Sequence, residues 1–203
     1  MKLNRNAAPA LFALTLICGL LLTRPAMAEW KINSQRSELY FVTTKAGAAG
    51  TAAIQEVQSF KKISGTVDDG GNISVNIEPG SIDTGIEIRD QRLREMLFNT
   101  VTYPVATFSG KVNPAEIKNL SIGNSRELDL KGQITLCSQS QPLIAKVRVT
   151  KITGNQLRVE TRTPFIVNAA DFGLKNGVEA LRKVMGLNVL SSAAPVSFSL
   201  VLD

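Results

Sequence analysis

The chain lacks the residues on which most enzyme sites depend. Its 203 residues include no histidine and only two cysteines. Without histidine there is no Ser-His-Asp or Cys-His arrangement, and the commonest metal ligand is missing. The adjacent carboxylates Asp68 and Asp69 remain as an acid–base pair, but they lie in a glycine-rich turn where Asp is expected for backbone reasons. We therefore predict a protein that is not an enzyme and needs no metal ion or cofactor.

The first 28 residues predict an export signal. Lys2 and Arg5 give a positive start, residues 10–22 are almost wholly apolar, and Ala26-Met27-Ala28 supplies small residues before a cleavage point. This order is typical of a secretory signal peptide over residues 1–28, cut before Glu29. We therefore expect a periplasmic protein whose working part is one domain over residues 29–203.

Two other interpretations of this N-terminal segment remain open. A retained membrane anchor is disfavoured because the apolar run is shorter than the roughly 20 residues that cross a bilayer. A lipoprotein attached at Cys18 is disfavoured because Ile17 precedes that cysteine, where a small residue would be expected. Cleavage before Glu29 would leave Cys137 as the single cysteine, so the mature chain could form no internal disulfide.

Removal of the signal peptide also changes the charge balance. Lys2, Arg5 and Arg24 leave with it, so 23 basic residues become 20 against 17 acidic ones, a net charge of +3. This small excess gives little reason to expect a nucleic-acid partner. The mature length of 175 residues, 203 less 28, is enough for one domain with a sizeable core.

Apolar and polar residues alternate along most of the chain after residue 29, which predicts β-strands with one dry and one wet face. The strongest runs lie at residues 38–43, 52–60, 62–67, 73–78, 128–136, 145–150, 157–160 and 196–202. Glycine, asparagine and aspartate between the runs are typical of hairpin turns, so the strands should be largely consecutive and antiparallel. We predict a mainly β fold in which about eight antiparallel strands form one closed barrel.

Two segments have the spacing of short helices instead. Residues 90–98 place Leu and Met side chains at helical intervals, with Asp90 in position to cap the helix. Residues 176–185 do the same, with a capping box that begins at Asn176 and a stop signal at Gly186. The predicted barrel is therefore interrupted by two short helices.

A series of short motifs in the middle of the chain resembles the signature of the YceI-like family. In order, the motifs are Ser81-Ile82-Asp83-Thr84-Gly85, Arg89-Asp90, Leu93-Arg94, Leu97-Phe98, Tyr103-Pro104 and Thr107-Phe108. Similar stretches near both ends extend the resemblance over nearly all of residues 29–203. It implies an extended lipocalin-like barrel that holds a polyisoprenoid or other long-chain lipid, such as an isoprenoid quinone, an isoprenyl phosphate or a fatty amide.

Inward-facing residues are candidates for the binding site, because the interior of an eight-stranded barrel can hold one small ligand. The apolar candidates are Leu39, Phe41, Phe60, Phe98, Tyr103, Phe108, Phe165, Phe172 and Phe198. Plain core packing is the better explanation for each of them when taken singly, because apolar residues at two-residue spacing need no ligand to explain them. Arg89 and Arg94 bracket the start of the first helix and could meet an anionic head group, although a solvated basic face also explains them.

Two functions stay open at this point. The first is binding or carriage of a long apolar molecule, with transient contact with the membrane during exchange. The second is a periplasmic scaffold or stress-related protein that acts through protein partners and has a filled barrel. An enzyme acting on isoprenoids is disfavoured by the missing histidine, and the sequence leaves the oligomeric state open. A hollow interior would favour the first function, and a solid one would favour the second.

Overall fold

A computed structural model describes residues 28–48 and 52–203. The strands are β1 (Ala28–Lys31), β2 (Glu38–Ala46), β3 (Ile54–Phe60), β4 (Ile63–Asp68), β5 (Asn72–Ile77), β6 (Ile82–Asp83), β7 (Ala106–Lys111), β8 (Ser125–Leu136), β9 (Gln139–Thr153), β10 (Gln156–Thr161), β11 (Phe165–Asn168), β12 (Val189–Leu190) and β13 (Ala193–Leu202). The helices are α1 (Glu87–Arg92), α2 (Pro114–Lys118) and α3 (Lys175–Val184), with a π-helical turn at Leu93–Leu97 and 3-10 turns at Ser34–Arg36, Pro79–Ser81 and Ala169–Phe172. Within this part of the chain, no helix is long and apolar enough to cross a membrane. The predicted signal peptide, apart from Ala28, lies outside the described residues and stays a prediction.

The strands form one curled sheet in the order β1-β4-β5-β7-β8-β9-β10-β13-β2-β3-β6, with β11 added beside β13 and β12 beside β2. Every strand pair is antiparallel, and consecutive hairpins join β4 to β5, β8 to β9 and β9 to β10. The mainly β, antiparallel fold is therefore confirmed. All the long alternating runs of the sequence lie in this sheet.

The predicted number of eight strands is wrong, because the alternation pattern missed five strands. Strands β6 and β12 have two residues each, and β1 and β11 have four, which is too short for a two-residue period to be visible. Strand β7 has six residues but carries Gly110 on its inner face, so only Ala106 and Phe108 mark the apolar side. The described residues thus contain thirteen strands.

The N-terminal strand and the last residues of the chain meet at a seam. Lys31 and Asp203 exchange two backbone hydrogen bonds of 2.9 Å, and Ile32 pairs with Leu202. The backbone N–H of Asn33 donates to the carbonyl oxygen of Val201 at 2.8 Å. Strand β1 is therefore bonded to β4 on one side and to the end of β13 on the other, and the sheet is closed at this point.

A tight turn joins the two longest strands, β8 and β9. Cys137 and Ser138 occupy its two central positions with φ angles of 47° and 64°, the left-handed values that this kind of two-residue hairpin requires. Strand alternation predicts that Cys137 faces solvent, but the turn brings its thiol inward, where it donates to the carbonyl oxygen of Phe98 at 3.4 Å. Burial raises the pKa of this thiol, which fits an unreactive cysteine.

The first predicted helix exists, but its cap is different. The helix begins at Glu87, so Asp90 lies inside it and is not its N-cap. The buried Asp90 carboxylate accepts hydrogen bonds from the backbone N–H and the hydroxyl of Thr84, at 3.0 and 2.5 Å. It therefore ties α1 to the turn that precedes the helix, at the centre of the motif series described above.

The second predicted helix also exists and stops as expected before Gly186, which has a φ of 63°. The predicted capping box is wrong, because the N-cap is Leu174 and no side chain caps the helix. The Glu179 carboxylate instead binds Arg182 with two hydrogen bonds of 2.7 and 2.8 Å. The Glu179 carboxylate therefore forms an ion pair on the helix surface and does not cap the helix.

Apolar side chains on the concave face of the sheet form two buried clusters. The larger one includes Trp30 and Val147, and the Trp30 indole N–H donates to the carbonyl oxygen of Asn155 at 2.8 Å. The smaller one, around Phe98 and Phe172, lies beside the π-helical turn. The space between these clusters is where the candidate site lies.

Candidate ligand-binding cavity

The concave face of the sheet and the helical segments surround a cavity of about 310 Å³. Its walls are almost wholly apolar and come from most strands of the sheet, from α3 and from the π-helical turn. This volume lies at the lower end of the range for small-molecule sites, about 300–1,000 Å³. The interior is therefore hollow and is not filled by its own side chains.

The predicted ligand-binding residues fall into two groups. Those that line the cavity are Leu39, Phe41, Phe60, Arg89, Phe98, Phe108, Phe165 and Phe198. Three others do not line it: Phe172 is buried in the smaller cluster, Tyr103 is half-buried beyond the π-helical turn, and Arg94 forms a 2.6 Å salt bridge with Glu87. Of the two arginines, the structure therefore brings Arg89 to the cavity and keeps Arg94 at the surface. Contact of any of these residues with a ligand stays a prediction.

Phenylalanine rings form much of the cavity wall. Phe41 stacks on Phe60 with ring centroids 5.4 Å apart, and Phe60 meets Phe98 edge to face at 5.9 Å. On another part of the wall, Phe165 and Phe198 lie 6.4 Å apart. Rings packed in this way hold each other in place, because offset and edge contacts add stability beyond the burial of their area. The wall is therefore preformed for an apolar guest.

The ring of Phe108 can pack closely against the sheet because two glycines lie next to it. Gly110 and Gly132 are directly opposite each other in β7 and β8. A Cβ atom at Gly132 would lie 2.3 Å from the carbonyl oxygen of Ser109 and 2.5 Å from the Phe108 ring. The missing side chain lets the ring lie close against the sheet, which leaves the cavity open.

One part of the cavity wall is polar. It consists of Thr43, Lys45, Glu56, Gln58 and Arg89, which we call the polar cluster. Lys45 Nζ lies 2.9 Å and Arg89 Nη1 lies 2.5 Å from the same carboxylate oxygen of Glu56. The side chains of Lys45 and Glu56 are 23% and 30% exposed, so the polar cluster connects the apolar interior with solvent.

The register of β2 with β3 gathers the polar cluster. Thr43 is directly opposite Glu56, and the two-residue period places the other strand members of the polar cluster on the same inner face. Arg89 comes from α1, where its Nη2 donates to the carbonyl oxygen of Thr84 at 2.6 Å. Two strands and one helix therefore fix the five side chains.

Sequence reasoning predicted Arg89 but missed the other four members of the polar cluster. A signal was present, because the inward positions of β2 run Leu39, Phe41, Thr43 and Lys45. The polar residues thus occupy the face that is apolar earlier in the same strand. Polar residues on a buried face need partners, so this change of character could have marked the site.

Two cations keep Glu56 ionised. The pKa of the Glu56 carboxyl is lowered mainly by the hydrogen bond from Lys45, and the charge of Arg89 adds to the effect, while burial opposes it. A carboxylate held in this way takes up a proton less readily than an ordinary one. Glu56 is therefore better suited to orienting its two cations than to acting as a general base.

Replacing Glu56 with glutamine should lower the free energy of unfolding at pH 7 by about 1 kcal/mol, because two partly buried cations lose their partner. A carboxyl group with a lowered folded-state pKa stabilises the fold above its unfolded pKa, and this contribution is lost as the pH falls through the folded pKa. The difference between wild type and Glu56→Gln should be complete above the ordinary value of 4.5 and should shrink below it. Urea unfolding across a pH series measures this difference.

Glu127→Gln is the matched control for that series. Glu127 binds Arg148 and Arg162 at an exposed position outside the cavity, where salt bridges contribute little. Its replacement should therefore have a smaller effect than that of Glu56. A stability difference for Glu56→Gln that stays constant down to strongly acid pH would contradict the prediction.

The sheet that curls around an apolar interior defines this protein as a lipocalin-like barrel with an apolar cavity. The family model of the YceI-like domain matches residues 30–202. The chain therefore belongs to the YceI-like family, as the motif series predicted.

Two solved structures resemble the chain over most of its length. A polyisoprenoid-binding domain from Saccharophagus degradans, implicated in plant cell wall breakdown, is 29% identical with a TM-score of 0.82, and the match covers 87% of this chain and 99% of that one. BcnA from Burkholderia cenocepacia is 19% identical with a TM-score of 0.62, and the match covers 84% of this chain and 98% of that one; it supports the fold. A search of curated proteins gives no match.

Proposed function

We propose that this chain is a periplasmic protein that binds and carries one long apolar molecule, of isoprenoid or fatty type, inside its barrel. The observation that carries the proposal is the cavity of about 310 Å³ with almost wholly apolar walls. Burial of each CH₂ group of a chain in such a space contributes about 0.8 kcal/mol. A long hydrocarbon chain can therefore bind here without any specific polar contact along its length.

The relation to the Saccharophagus degradans domain supports an isoprenoid as the guest. That domain is described as polyisoprenoid-binding, and its match includes nearly its whole length. The phenylalanine walls fit the same class of ligand, since flat rings pack well against the methyl groups and double bonds of isoprene units. An isoprenoid is therefore the first ligand to test, with a fatty chain as the second.

The cavity supports the first of the two functions that the sequence left open. A scaffold that acts through protein partners needs no hollow interior, and close packing is the normal state of a protein core. Six phenylalanine side chains line the space inside this barrel. The glycine at position 132 leaves room for one of these rings to lie against the sheet. Binding of a guest explains this arrangement, whereas a scaffold function gives no reason for it.

Carriage without catalysis fits the polar groups that the cavity contains. Its acidic side chain, Glu56, is held ionised between Lys45 and Arg89, and catalysis by a general acid or base requires a pKa near the working pH. These side chains are arranged to bind a polar head group and to hold one another in place. We infer that the polar cluster positions the ligand and that the ligand leaves unchanged.

Native mass spectrometry of the full chain, produced in a bacterium and released gently from the periplasm, tests the proposal. We expect one long-chain molecule per protein, and a protein mass that corresponds to residues 29–203. Solvent extraction should remove the added mass and deliver the molecule for identification. An empty protein that also fails to take up added prenyl or fatty chains would overturn the binding function, and an uncleaved mass in the cytoplasm would overturn export.

A further inference from the structure

Helix α3 covers the cavity with a hollow beneath it. Val178, Leu181 and Met185 lie on the inner face of this helix and form part of the cavity wall. The space that they face is the open interior and not a packed core. Buried side chains normally gain from contacts on all sides. These three therefore hold the helix in place less firmly than the same residues would in a filled core.

The polar side chains of α3 bind one another. Glu179 accepts two hydrogen bonds from Arg182, and Arg182 Nη1 donates to the carbonyl oxygen of Leu187 at 2.7 Å. Among the described residues, no side-chain hydrogen bond or ion pair joins residues 175–187 to another part of the chain. Helix α1 differs in this respect, because Arg89 ties it to Glu56 on β3 at 2.5 Å.

A glycine forms the contact between α3 and the π-helical turn. A Cβ atom at Gly177 would lie 2.7 Å from the carbonyl oxygen of Met96 and 3.2 Å from the Cα atom of Leu97. The helix thus rests on the backbone of the turn, and no side chain of residue 177 interlocks with it. Separation of the two segments at this point breaks few atomic contacts.

The ends of α3 combine weak helix signals with glycine. The N-cap is Leu174, which supplies no side-chain cap, and Lys175 places a positive charge where the helix dipole favours a negative one. Gly173 before the helix and Gly186 after it have φ angles of 72° and 63°. Glycine changes its backbone angles with little steric cost, so both positions can act as hinges.

We propose that α3 is a lid that swings on Gly173 and Gly186 and admits the long apolar molecule to the cavity. The opening at the polar cluster is crossed by the ion pairs of Glu56 with Lys45 and Arg89, and an apolar chain that passed there would strip these charges of water. The path beneath α3 is apolar. This inference rests on the proposed function, because it assigns the entrance for the molecule that the cavity holds.

A bound guest should hold this lid closed. The guest fills the hollow and packs against the inner face of α3, so it binds the closed position more tightly than the open one. The open position is populated mainly in the empty protein, and the lid closes over the guest after entry.

Hydrogen exchange of the full chain tests the lid directly. In the empty protein, the amides of α3 should exchange about tenfold faster than those of α1, because local opening exposes them. Addition of geranylgeraniol should slow exchange in α3 and leave α1 unchanged. If α3 were as protected as α1 without a guest, or if bound geranylgeraniol left its exchange unchanged, the lid would be disproved.

A disulfide between positions 177 and 97 should lock the lid. The variant is Gly177→Cys with Leu97→Cys, and Cys137→Ser removes the native thiol; the two backbones approach closely enough for such a bond. Trp30 is the single tryptophan of the chain and lines the cavity, so stopped-flow fluorescence follows uptake of geranylgeraniol. We expect uptake and release about tenfold slower in the oxidised form than in the reduced form of the same protein.

A second cross-link serves as the matched control. Val42 and Val57 are directly opposite each other on the outer face of β2 and β3. Oxidation of the variant Val42→Cys with Val57→Cys, again with Cys137→Ser, should leave the uptake rate unchanged. Mass spectrometry confirms each disulfide, and exchange in the wild-type protein decides alone if the lid variant does not fold.

The outcomes separate the lid from the function on which it depends. Equal uptake rates in the oxidised and reduced lid variant would overturn the lid and leave ligand binding intact. Slower uptake in both cross-linked variants would assign the effect to general stiffening of the barrel and would also overturn it. Failure of the wild-type protein to bind geranylgeraniol or palmitic acid would overturn the proposed function and the lid together.

Discussion

Gly132→Ala is expected to lower the free energy of unfolding by about 3 kcal/mol, although only one methyl group is added. Alanine in place of a strand glycine normally stabilises a protein, because it reduces the freedom of the unfolded chain. At Gly132 the new Cβ would lie 2.3 Å from the carbonyl oxygen of Ser109 and 2.5 Å from the Phe108 ring. The ring must move into the cavity, so binding of a long-chain probe should weaken as well. Thermal and urea unfolding, with a binding titration, measure both effects.

Gly80→Ala is the control for this substitution. A Cβ atom at Gly80 would have its nearest neighbour at 3.9 Å, and the residue lies on the surface. We expect this variant to be neutral or slightly stabilised and to bind the probe normally. If Gly132→Ala behaved in the same way, the contact between Phe108 and the glycine would not be the feature that keeps the ring against the sheet.

Leu130→Trp should reduce the affinity for a long-chain probe at least tenfold while leaving the protein folded. Leu130 is half-buried, lines the cavity and is directly opposite Ala145, so the indole has open space in front of it. Extra volume in a packed core destabilises a protein by about 1–3 kcal/mol, but a hollow interior can accept it. Loss of binding with a nearly unchanged melting temperature is therefore the signature of a filled cavity.

Ile144→Trp is the matched control for the cavity-filling variant. Ile144 lies next to Ala145 on β9, but it faces solvent and is 59% exposed. The same indole placed there should leave affinity for the probe unchanged. If both tryptophan variants bound the probe as well as the wild type does, the apolar interior would not be the place where the long chain binds.

The long strands could be predicted from the sequence because their burial follows a two-residue period. Residues 128–136 and 145–150 alternate cleanly, and both runs lie within the two longest strands. The short strands could not be found in this way. Strand β6 has two residues, and its pairing with β3 depends on the fold of the whole sheet. Such strands are defined by their neighbours in space, which a local pattern does not contain.

The helix caps were mispredicted for a similar reason. Asp90 is a residue type that caps helices, but its carboxylate has found two donors on Thr84 within the preceding turn. A short acidic side chain can serve either as a cap or as a link to a neighbouring turn, and tertiary contacts decide between them. The end of the second helix was predictable because Gly186 must supply a left-handed backbone angle.

The candidate site could be predicted only in part. Three phenylalanines of the wall follow from strand alternation, because Phe41, Phe60 and Phe198 occupy inward positions of predicted strands. The other three do not, because Phe98 follows the π-helical turn and Phe108 and Phe165 lie on strands that the alternation missed. The polar cluster depends on the register of β2 with β3 and on the reach of Arg89 to Glu56, which is 33 residues away in sequence. The sequence carries no simple signal for such a contact, because both residues are of types that normally lie on the surface.

The seam between Lys31 and Asp203 also bears on the order of folding. Its hydrogen bonds join residues at opposite ends of the described chain, whereas the turn between β8 and β9 joins residues that are close in sequence. Contacts between distant residues form slowly, because a long loop must close before they contribute. The β8–β9 hairpin can thus form early, but the barrel gains its continuous wall only when the end of β13 has joined β1. For the proposed binding function, uptake of an apolar molecule should therefore follow the closing of this seam.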